Sequence, residues 1–543
     1  MNLTRLACTL ILSASAVSSL STPATAQEAT AAPDAAGALQ MSLTDCVREA
    51  FKNNKDIRVD SYRPMLSDTD IAFAKAQFDA SLTGTLFYQD QKSPTLNAVL
   101  NNAQTKASTF IGKTPSNFGQ ADIVYADPLT TGGRWQADLR LQRNVQPFFS
   151  FGPTVAPLLF PQTYRTSLTF SMVQPLLRNF GRKVNETNIT LSAINHEFDG
   201  ETFRQRVQDT LFGVEAAYWG LVFARQNLDV ANEALRLAQE LLKLNQIKVQ
   251  VGTLPPIDIT QAEAGVASKE EAVITARAGI ENAQDTLRRV IGMDPKSPDW
   301  KASIAPTEGL GVPEQAVDLD QAIKTAIENR PDLSAERLRI KSADAVLYQA
   351  RNQMKYSLDA QASYGMTGLA GDRGLISGPP RISPQNGQGF DNTFDAITGN
   401  NFPTWTAQLT LGIPIGNRAA ESNYTKQRLA REQTGVSYQS LEQAAIVAVG
   451  LAVRRVETDK KRIEAAEKNR ILQEKTVEAE QKKFENGMST SFQVLTFQND
   501  LATARSAELN AKTDYRISLA NLDSVIGVID KSLNVNLKNY GTN

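Results

Sequence analysis

The stretch from Val184 to Val251 constrains this chain most: it contains no proline, and its apolar residues return at helical spacing. Counting by sevens gives Val207, Val214, Leu221, Leu228, Leu235, Leu242 and Val249. Three residues after each of the first six stand Thr210, Ala217, Ala224, Ala231, Ala238 and Asn245. Branched or leucine side chains at one seam position and mostly alanine at the other predict a partner helix packed close to this one. Such a helix would be roughly 100 Å long at about 1.5 Å per residue, and a compact globule has no room for it.

The rest of the composition narrows the class. Lys and Arg number 57 against 58 Asp and Glu, and the pI is near 6.2, so nothing points to nucleic acid as a partner. Beyond the N-terminus no apolar run reads as long enough to span a bilayer as a helix. At the N-terminus, Arg5 precedes an apolar Ser/Ala-rich run ending near Leu20, followed by Ala24-Thr25-Ala26. That is the pattern of a cleaved secretory signal over residues 1–26. Its removal leaves Cys46 as the one cysteine, placed with Leu43, Val47 and Ala50 on an apolar helix face and expected in the core.

The chain then repeats itself. Leu43, Ala50, Asp56, Ala74, Leu82 and Tyr88 return, 276 positions on, as Leu319, Ala326, Asp332, Ala350, Leu358 and Tyr364. Val214, Val249, Gly252, Leu287 and Gly292 return 235 positions on as Val449, Phe484, Gly487, Leu522 and Gly527. After a flexible tail over 27–40, a first repeat therefore covers 41–292 and a second 319–527. In the first we expect helices within 43–78, strands at 81–90 and 163–175, a long helix 178–250 and a returning helix 257–291. In the second we expect helices within 319–356, strands at 358–368 and 403–414, a long helix 418–486 and a returning helix 491–527. The segments 293–318 and 528–543 form a linker and a C-terminal tail. Residues 369–402, rich in Gly, Pro and Asn, read as an exposed loop. Residues 92–162 are favoured as an extracellular insert, with extra strands as the alternative, because Trp135, Ala137, Leu139 and Leu141 alternate with polar residues after Thr130-Thr131-Gly132-Gly133.

The strands decide the setting. Leu168, Phe170 and Met172 alternate with Ser167, Thr169 and Ser171, and Trp405, Ala407, Leu409 and Leu411 alternate with Thr406, Gln408 and Thr410. This suits a membrane barrel with a polar lumen. Four such strands are too few to close a barrel, and an open sheet in lipid leaves its edges unsatisfied. Either the strands are soluble or several chains close one barrel together, and the long helices and the secretory leader favour the second.

This duplicated order, with Ala-Ile-Glu-Asn-Arg-Pro-Asp at 326–332, Gln-Pro-Leu-Leu-Arg at 174–178, Val-Gly-Thr-Leu-Pro-Pro-Ile-Asp at 251–258 and Asn-Gly-Met-Ser-Thr-Ser-Phe-Gln-Val-Leu at 486–495, resembles the TolC-like outer-membrane efflux family. The resemblance implies a homotrimer with a twelve-stranded barrel, four strands per chain, continued by a helical coiled-coil tunnel across the periplasm. It implies an export duct in the lipid of the Gram-negative outer membrane. That duct would serve an efflux pump or type I secretion system, with a periplasmic adaptor and an inner-membrane RND or ABC transporter as partners. It also implies a gate at the tip. Gly252 and Gly487 mark the two helical turns, and Asp258 stands where relatives place a carboxylate, so that a trimer would form a ring of three like charges favouring cations. Gln493 and Thr496 occupy positions often acidic in relatives, which departs from a salt-bridged gate. The alternative for Asp258 is an ordinary N-terminal helix charge.

An enzyme is not indicated: no nucleophile elbow, phosphate loop or zinc pattern occurs, and no cofactor is expected. The lone His196 is expected as a solvated helix residue. A general porin predicts many more strands and few helices. A periplasmic coiled-coil scaffold leaves the alternating strands without purpose.

Overall fold

A computed structural model describes residues 38–100, 107–145, 162–313, 317–371 and 389–535. The expected signal sequence, most of the 27–40 tail and the last residues of the C-terminal tail lie outside them. A short strand β1 (Leu39–Met41) leads into helices α1 (Leu43–Asn53) and α2 (Lys55–Lys75). Ser42 caps α1 in a reciprocal box with Asp45, and Asn54 both ends α1 and caps α2 by accepting from the amides of Asp56 and Ile57. Strands β2 (Ser81–Leu100), β3 (Ala107–Pro128), β4 (Arg134–Val145) and β5 (Gln162–Pro175) follow. Then come α3 (Arg182–Asn185), the rod α4 (Thr187–Gln250) and the returning helix α5 (Ile257–Ile291). A strand β6 (Ile304–Pro306) pairs in parallel with β1 and opens the second half: α6 (Leu319–Asn329), α7 (Pro331–Gln353), β7 (Ser357–Gly371), α8 (Phe390–Thr398), β8 (Pro403–Gly412), the rod α9 (Arg418–Glu485), α10 (Ser491–Val525) and α11 (Ile529–Ser532).

The helices stand in rows. Near the strands the row runs α2, α4, α7, α9; toward the far end α5, α4, α10, α9. The main core lies where α1, α4, α5 and β6 meet, around Cys46, Tyr218, Leu221, Leu287 and Ile304. Cys46 is fully buried there, as expected. The seam of α4 does not keep to strict sevens. Val207, Val214 and Leu221 are buried, but lower down Ala234, Ala238, Leu241 and Asn245 are, while Leu228, Leu235 and Leu242 are half-buried. The buried line follows the neighbours of α4, which change from α2 and α7 near the strands to α5 and α10 toward the far end.

Several expectations need correction. The sheet contains six strands in the order β2-β3-β4-β5-β7-β8, all antiparallel, not four. Much of the 92–162 insert is β3 and β4, paired in register with β2, with each other and with β5; residues 101–106 and 146–161 lie outside the described residues. The α4 rod starts at Thr187 rather than 178, since Asn179 and Gly181 take positive φ (63° and 102°) and keep the chain out of helix. Within the expected loop 369–402, β7 runs on to Gly371 and α8 is helical, with 372–388 outside the described residues. Strand β8 stops at Gly412, two residues before Pro414. The α9 rod carries an 18-residue window apolar enough to cross a membrane by composition, contrary to expectation. Its exposed Ile446, Val447 and Leu451 belong to the outer edge of the helix row. His196 is half-buried between α4 and α2; its Nδ1 lies 3.0 Å from the Pro64 carbonyl, which only accepts, so Nδ1 carries the proton.

The sheet has two unlike faces. Register places Leu82, Tyr125, Ala137, Phe170, Tyr364 and Trp405 side by side on one face, with Ile123, Leu139, Leu168 and Met366 in the next row. The opposite face carries Gln120, Asp122, Asp138, Arg140, Thr169, Ser363 and Thr406. Directly opposed Arg140 and Asp122 pair at 3.0 Å, and Arg140 also reaches Asp138 at 3.4 Å. Phe87 and Phe118 depart from the pattern and pack on each other, ring centroids 6.1 Å apart. Strand β8 spans ten residues, about 25 Å of membrane height when tilted about 40°.

Candidate functional site

The far end of the helices holds every residue singled out as a gate candidate. Both rods end in the same way. Gly252 (φ 78°) and Gly487 (φ 76°) sit in the left-handed region. The amides of Thr253 and Met488 return to the carbonyls of Lys248 and Lys483 at 2.8 and 2.9 Å, and those of Gly252 and Gly487 to Val249 and Phe484. This closure satisfies carbonyls that a helix end otherwise leaves open, and an L side chain is strained at its glycine. Leu254-Pro255-Pro256 then starts α5, with Asp258 in its first turn. Thr490 caps α10 by accepting from the Gln493 amide.

The structure ties the two turns together through residues the sequence did not nominate. Asn245, fully buried, donates from Nδ2 to the Asp258 carbonyl at 3.1 Å and to Ser491 Oγ at 2.7 Å. Its Oδ1 has no partner. Lys248 places its ammonium 2.5 Å from the Phe484 carbonyl, at the C-terminal end of α9, and 4.1 Å over the Phe484 ring. Leu241, Phe484 and Val494 form a small apolar core beneath these bonds. Of the expected residues, Asp258 joins through its backbone, its side chain being half-buried. Gln493 is exposed and accepts from Ser489 at 3.0 Å, while Ser489 contacts Glu480. Thr496 is exposed, and its hydroxyl returns to the Phe492 carbonyl on its own helix. The Ser489 hydroxyl, followed by Lys483, holds the Glu480 carboxyl below the usual range against a smaller push upward from burial. The signal for Asn245 was an asparagine at a seam position, where a polar residue fixes register. Nothing in the sequence pairs Lys248 with Phe484.

Above the tip, α9 and α10 are joined by charges. Arg470 bonds Glu508 and Glu474, Arg505 bonds Glu474 at 3.0 Å, and Lys512 bonds Glu508 at 2.7 Å. Among the described residues no cluster of His, Cys, Asp or Glu suited to a metal occurs. Higher on α9, Asp459 lies 3.7 Å from Arg455 and 3.9 Å from Arg462.

Residues 157–293 and 322–528 match the outer membrane efflux protein family. This chain belongs to that family. It is similar to the outer membrane efflux protein BepC of Brucella suis, 24% identical over 58% of this chain and 62% of the relative. It is also similar to the alkaline protease secretion protein AprF of Pseudomonas aeruginosa, 24% identical over 61% of this chain and 64% of the relative. The aligned part thus spans under two thirds of either relative. The fold matches the CmeC outer membrane channel of Campylobacter jejuni, with a TM-score of 0.60, 15% identity and coverage of 92% and 89% of the two chains. The outer membrane protein VceC of Vibrio cholerae gives a TM-score of 0.60 at 16% identity, covering 89% and 96%.

Proposed function

We propose that this efflux-family chain is one third of a homotrimeric outer-membrane export duct. It receives cargo from an inner-membrane RND or ABC transporter through a periplasmic adaptor and conducts it passively outward. One observation carries the reading: sheet and helix row are both open ribbons, ordered alike and ending in matching edges. Among the described residues β2 and β8 are hydrogen-bonded on one side only. Below them stand α2 and α9 at the two ends of the helix row. Exposed Val59, Tyr62, Leu66 and Phe73 stripe α2, and exposed Leu429, Val436, Val447 and Leu451 stripe α9. Strand β2 leaves α2 while β8 enters α9, so β8 of one copy meets β2 of the next antiparallel, over the ten residues of β8 and the lower ten of β2. The two edges differ, so the contact is head-to-tail and must close into a ring. In hydrocarbon each edge amide left unpaired would be penalised by several kcal/mol, which excludes the open sheet.

The two-repeat reading supports the same design, since α1 and α6, α4 and α9, and α5 and α10 have matching lengths (11 and 11, 64 and 68, 35 and 35 residues). The gate reading places Asp258 in a threefold ring at the tip, with Gly252 and Gly487 as the turns and Gln493 and Thr496 as its uncharged neighbours. Membrane fractionation with native mass tests the duct: a trimer in the outer membrane is expected, and a soluble monomer would sink the idea. Conductance of Asp258→Ala in planar bilayers tests the ring; unchanged cation preference removes Asp258 from the pore.

A further inference from the structure

The geometry points to a barrel of eighteen strands, in which the β3–β4 hairpin is part of the membrane wall. This rests on the threefold duct proposed above and adds the width of its outer half.

The hairpin lies inside the sheet, between β2 and β5. Its register with β5 is unbroken from Arg134 opposite Val173 to Val145 opposite Gln162. Its register with β2 runs from Ser81 opposite Ala126 upward. Removing it would not trim a loop; it would part the first edge of the sheet from the rest.

Both faces continue through it. Tyr125 and Ile123 on β3 and Ala137 and Leu139 on β4 extend the apolar face of β5 and β7 at the height of β8, while Gln120, Asp122, Arg140 and Gln142 extend the polar one; one row higher, Ala121 and Leu141 reach Thr166, where α8 covers the apolar face through Thr393. Gln142 bonds Gln120 at 3.0 Å across the polar face. A hairpin standing in water outside the membrane has no cause to keep one face apolar.

The hairpin also reaches the foot of the sheet. Its turn closes through the Leu129 amide on the Gly133 carbonyl at 2.7 Å, and Thr131 accepts from the Gly181 amide at 3.0 Å. Thr131 Oγ1 also bonds Gln174 at 2.9 Å, at the exit of β5. The strands therefore run the full height of the wall, down to the helices.

Perimeters agree. Four helices per copy stand under the sheet, and twelve at about 9 Å spacing enclose about 110 Å. Eighteen strands about 4.8 Å apart and tilted about 40° enclose about 110 Å, against about 75 Å for twelve. With eighteen strands the barrel continues the helical tube without a taper, about 35 Å across between backbones. Its lumen carries the Asp122–Arg140–Asp138 cluster three times.

The test places single cysteines in the full-length protein. Cys46 is a silent background: it is fully buried, and burial pushes its thiol up to about 12. Ile123→Cys and Leu139→Cys are expected to face lipid: inert to a charged methanethiosulfonate, and, once labelled with a small fluorophore, quenched by spin-labelled lipid. Gln120→Cys and Gln142→Cys are expected to react with the charged reagent and escape quenching. Reaction at all four positions without quenching, in a sample whose native mass is three copies, overturns the eighteen-stranded barrel and leaves the duct standing. A mass other than three copies overturns both. Electron cryomicroscopy of the unmodified trimer counts strands directly, with eighteen expected and twelve overturning the proposal.

Discussion

Asn245→Ala is the sharpest probe of the tip. The wild-type side chain is fully buried, and its amide is oriented by the Asp258 carbonyl, which can only accept. Truncation removes two hydrogen bonds and leaves the Asp258 carbonyl and the Ser491 hydroxyl to find other partners. A net bond contributes about 1 kcal/mol and an orphaned buried group is penalised by about 1–3 kcal/mol, so the expected loss is about 2–4 kcal/mol. The unpartnered Oδ1 of Asn245 trims this figure, because alanine abolishes that penalty. If the loss falls on the tip alone, 2 kcal/mol raises the open population of each tip about 30-fold, since 1.4 kcal/mol is about a factor of ten. The assay is a double-mutant cycle with Ser491→Ala, read by thermal unfolding of the solubilised protein and by single-channel conductance. A coupling of about 0.5–3 kcal/mol and a raised open probability are expected. Additivity within about 0.5 kcal/mol, with conductance unchanged, would refute the argument that this bond holds the two turns together.

Three further outcomes follow from the same structure. Burial, reinforced by Asp523, pushes the Glu215 carboxyl up to about 7 despite Arg516. The folded state therefore holds a proton the unfolded chain has released, and stability falls as pH rises from about 4.5 to 7. Glu215→Gln should recover up to about 3 kcal/mol at pH 8 and nothing at pH 4, seen as a shift in urea midpoint. Burial pushes the Glu508 carboxyl up, but hydrogen bonds from Lys512 and Arg470 outweigh it and hold it below the usual range. Its contribution is thus present above pH 4.5 and lost on acidification below it, and Arg470→Met should destabilise by about 3 kcal/mol at pH 7 and by less at pH 3. Finally, a Cβ at Gly132 (φ 90°) would lie 2.2 Å from the Asn179 carbonyl oxygen, so Gly132→Ala should lower the yield of folded, heat-modifiable protein on gels, whereas Gly84→Ala, with open space around it, should not.

How much of this was legible depends on whether the cause was local. The rods and the left-handed glycines each follow from a few neighbouring residues, and the strands β5, β7 and β8 announce themselves by clean alternation. Strands β2 and β3 do not. Pro94 and Pro115 lie within them, and proline argues against a strand wherever its partner is unknown. Strand β2 was expected only over 81–90, and β3 finds its place by pairing with β2 and β4, which no local pattern specifies. Helix α8 was hidden for a similar reason. It sits among Gly and Asn and is held by Thr393 against Thr166, 2.5 Å apart, and by Phe390 against the Tyr164 ring. At the tip, Gly252 and Gly487 were readable, but Lys248 meets Phe484 only because two rods end side by side, 236 positions apart.

The two halves of the chain, alike in plan, are held by unlike forces, and this bears on which of them moves. Hairpin α4–α5 rests on a continuous apolar core around Val214, Leu221, Leu287 and Ile291. Hairpin α9–α10 has a shorter apolar segment around Val449, Val453 and Tyr515, below which Arg470, Glu474, Arg505, Glu508 and Lys512 take over. Ion pairs in a half-buried seam gain little net energy, because desolvation offsets attraction, but they fix register tightly and exchange partners readily. A tip that must open is better served by the second kind of seam. Motion at the tip should therefore reside in the lower part of α9 and α10, sliding against a static α4, with the Asn245–Ser491 and Lys248–Phe484 contacts as the bonds that break. Hydrogen exchange would see this as faster opening of amides in 470–510 than in 235–275, and equal rates in the two segments would sink the assignment.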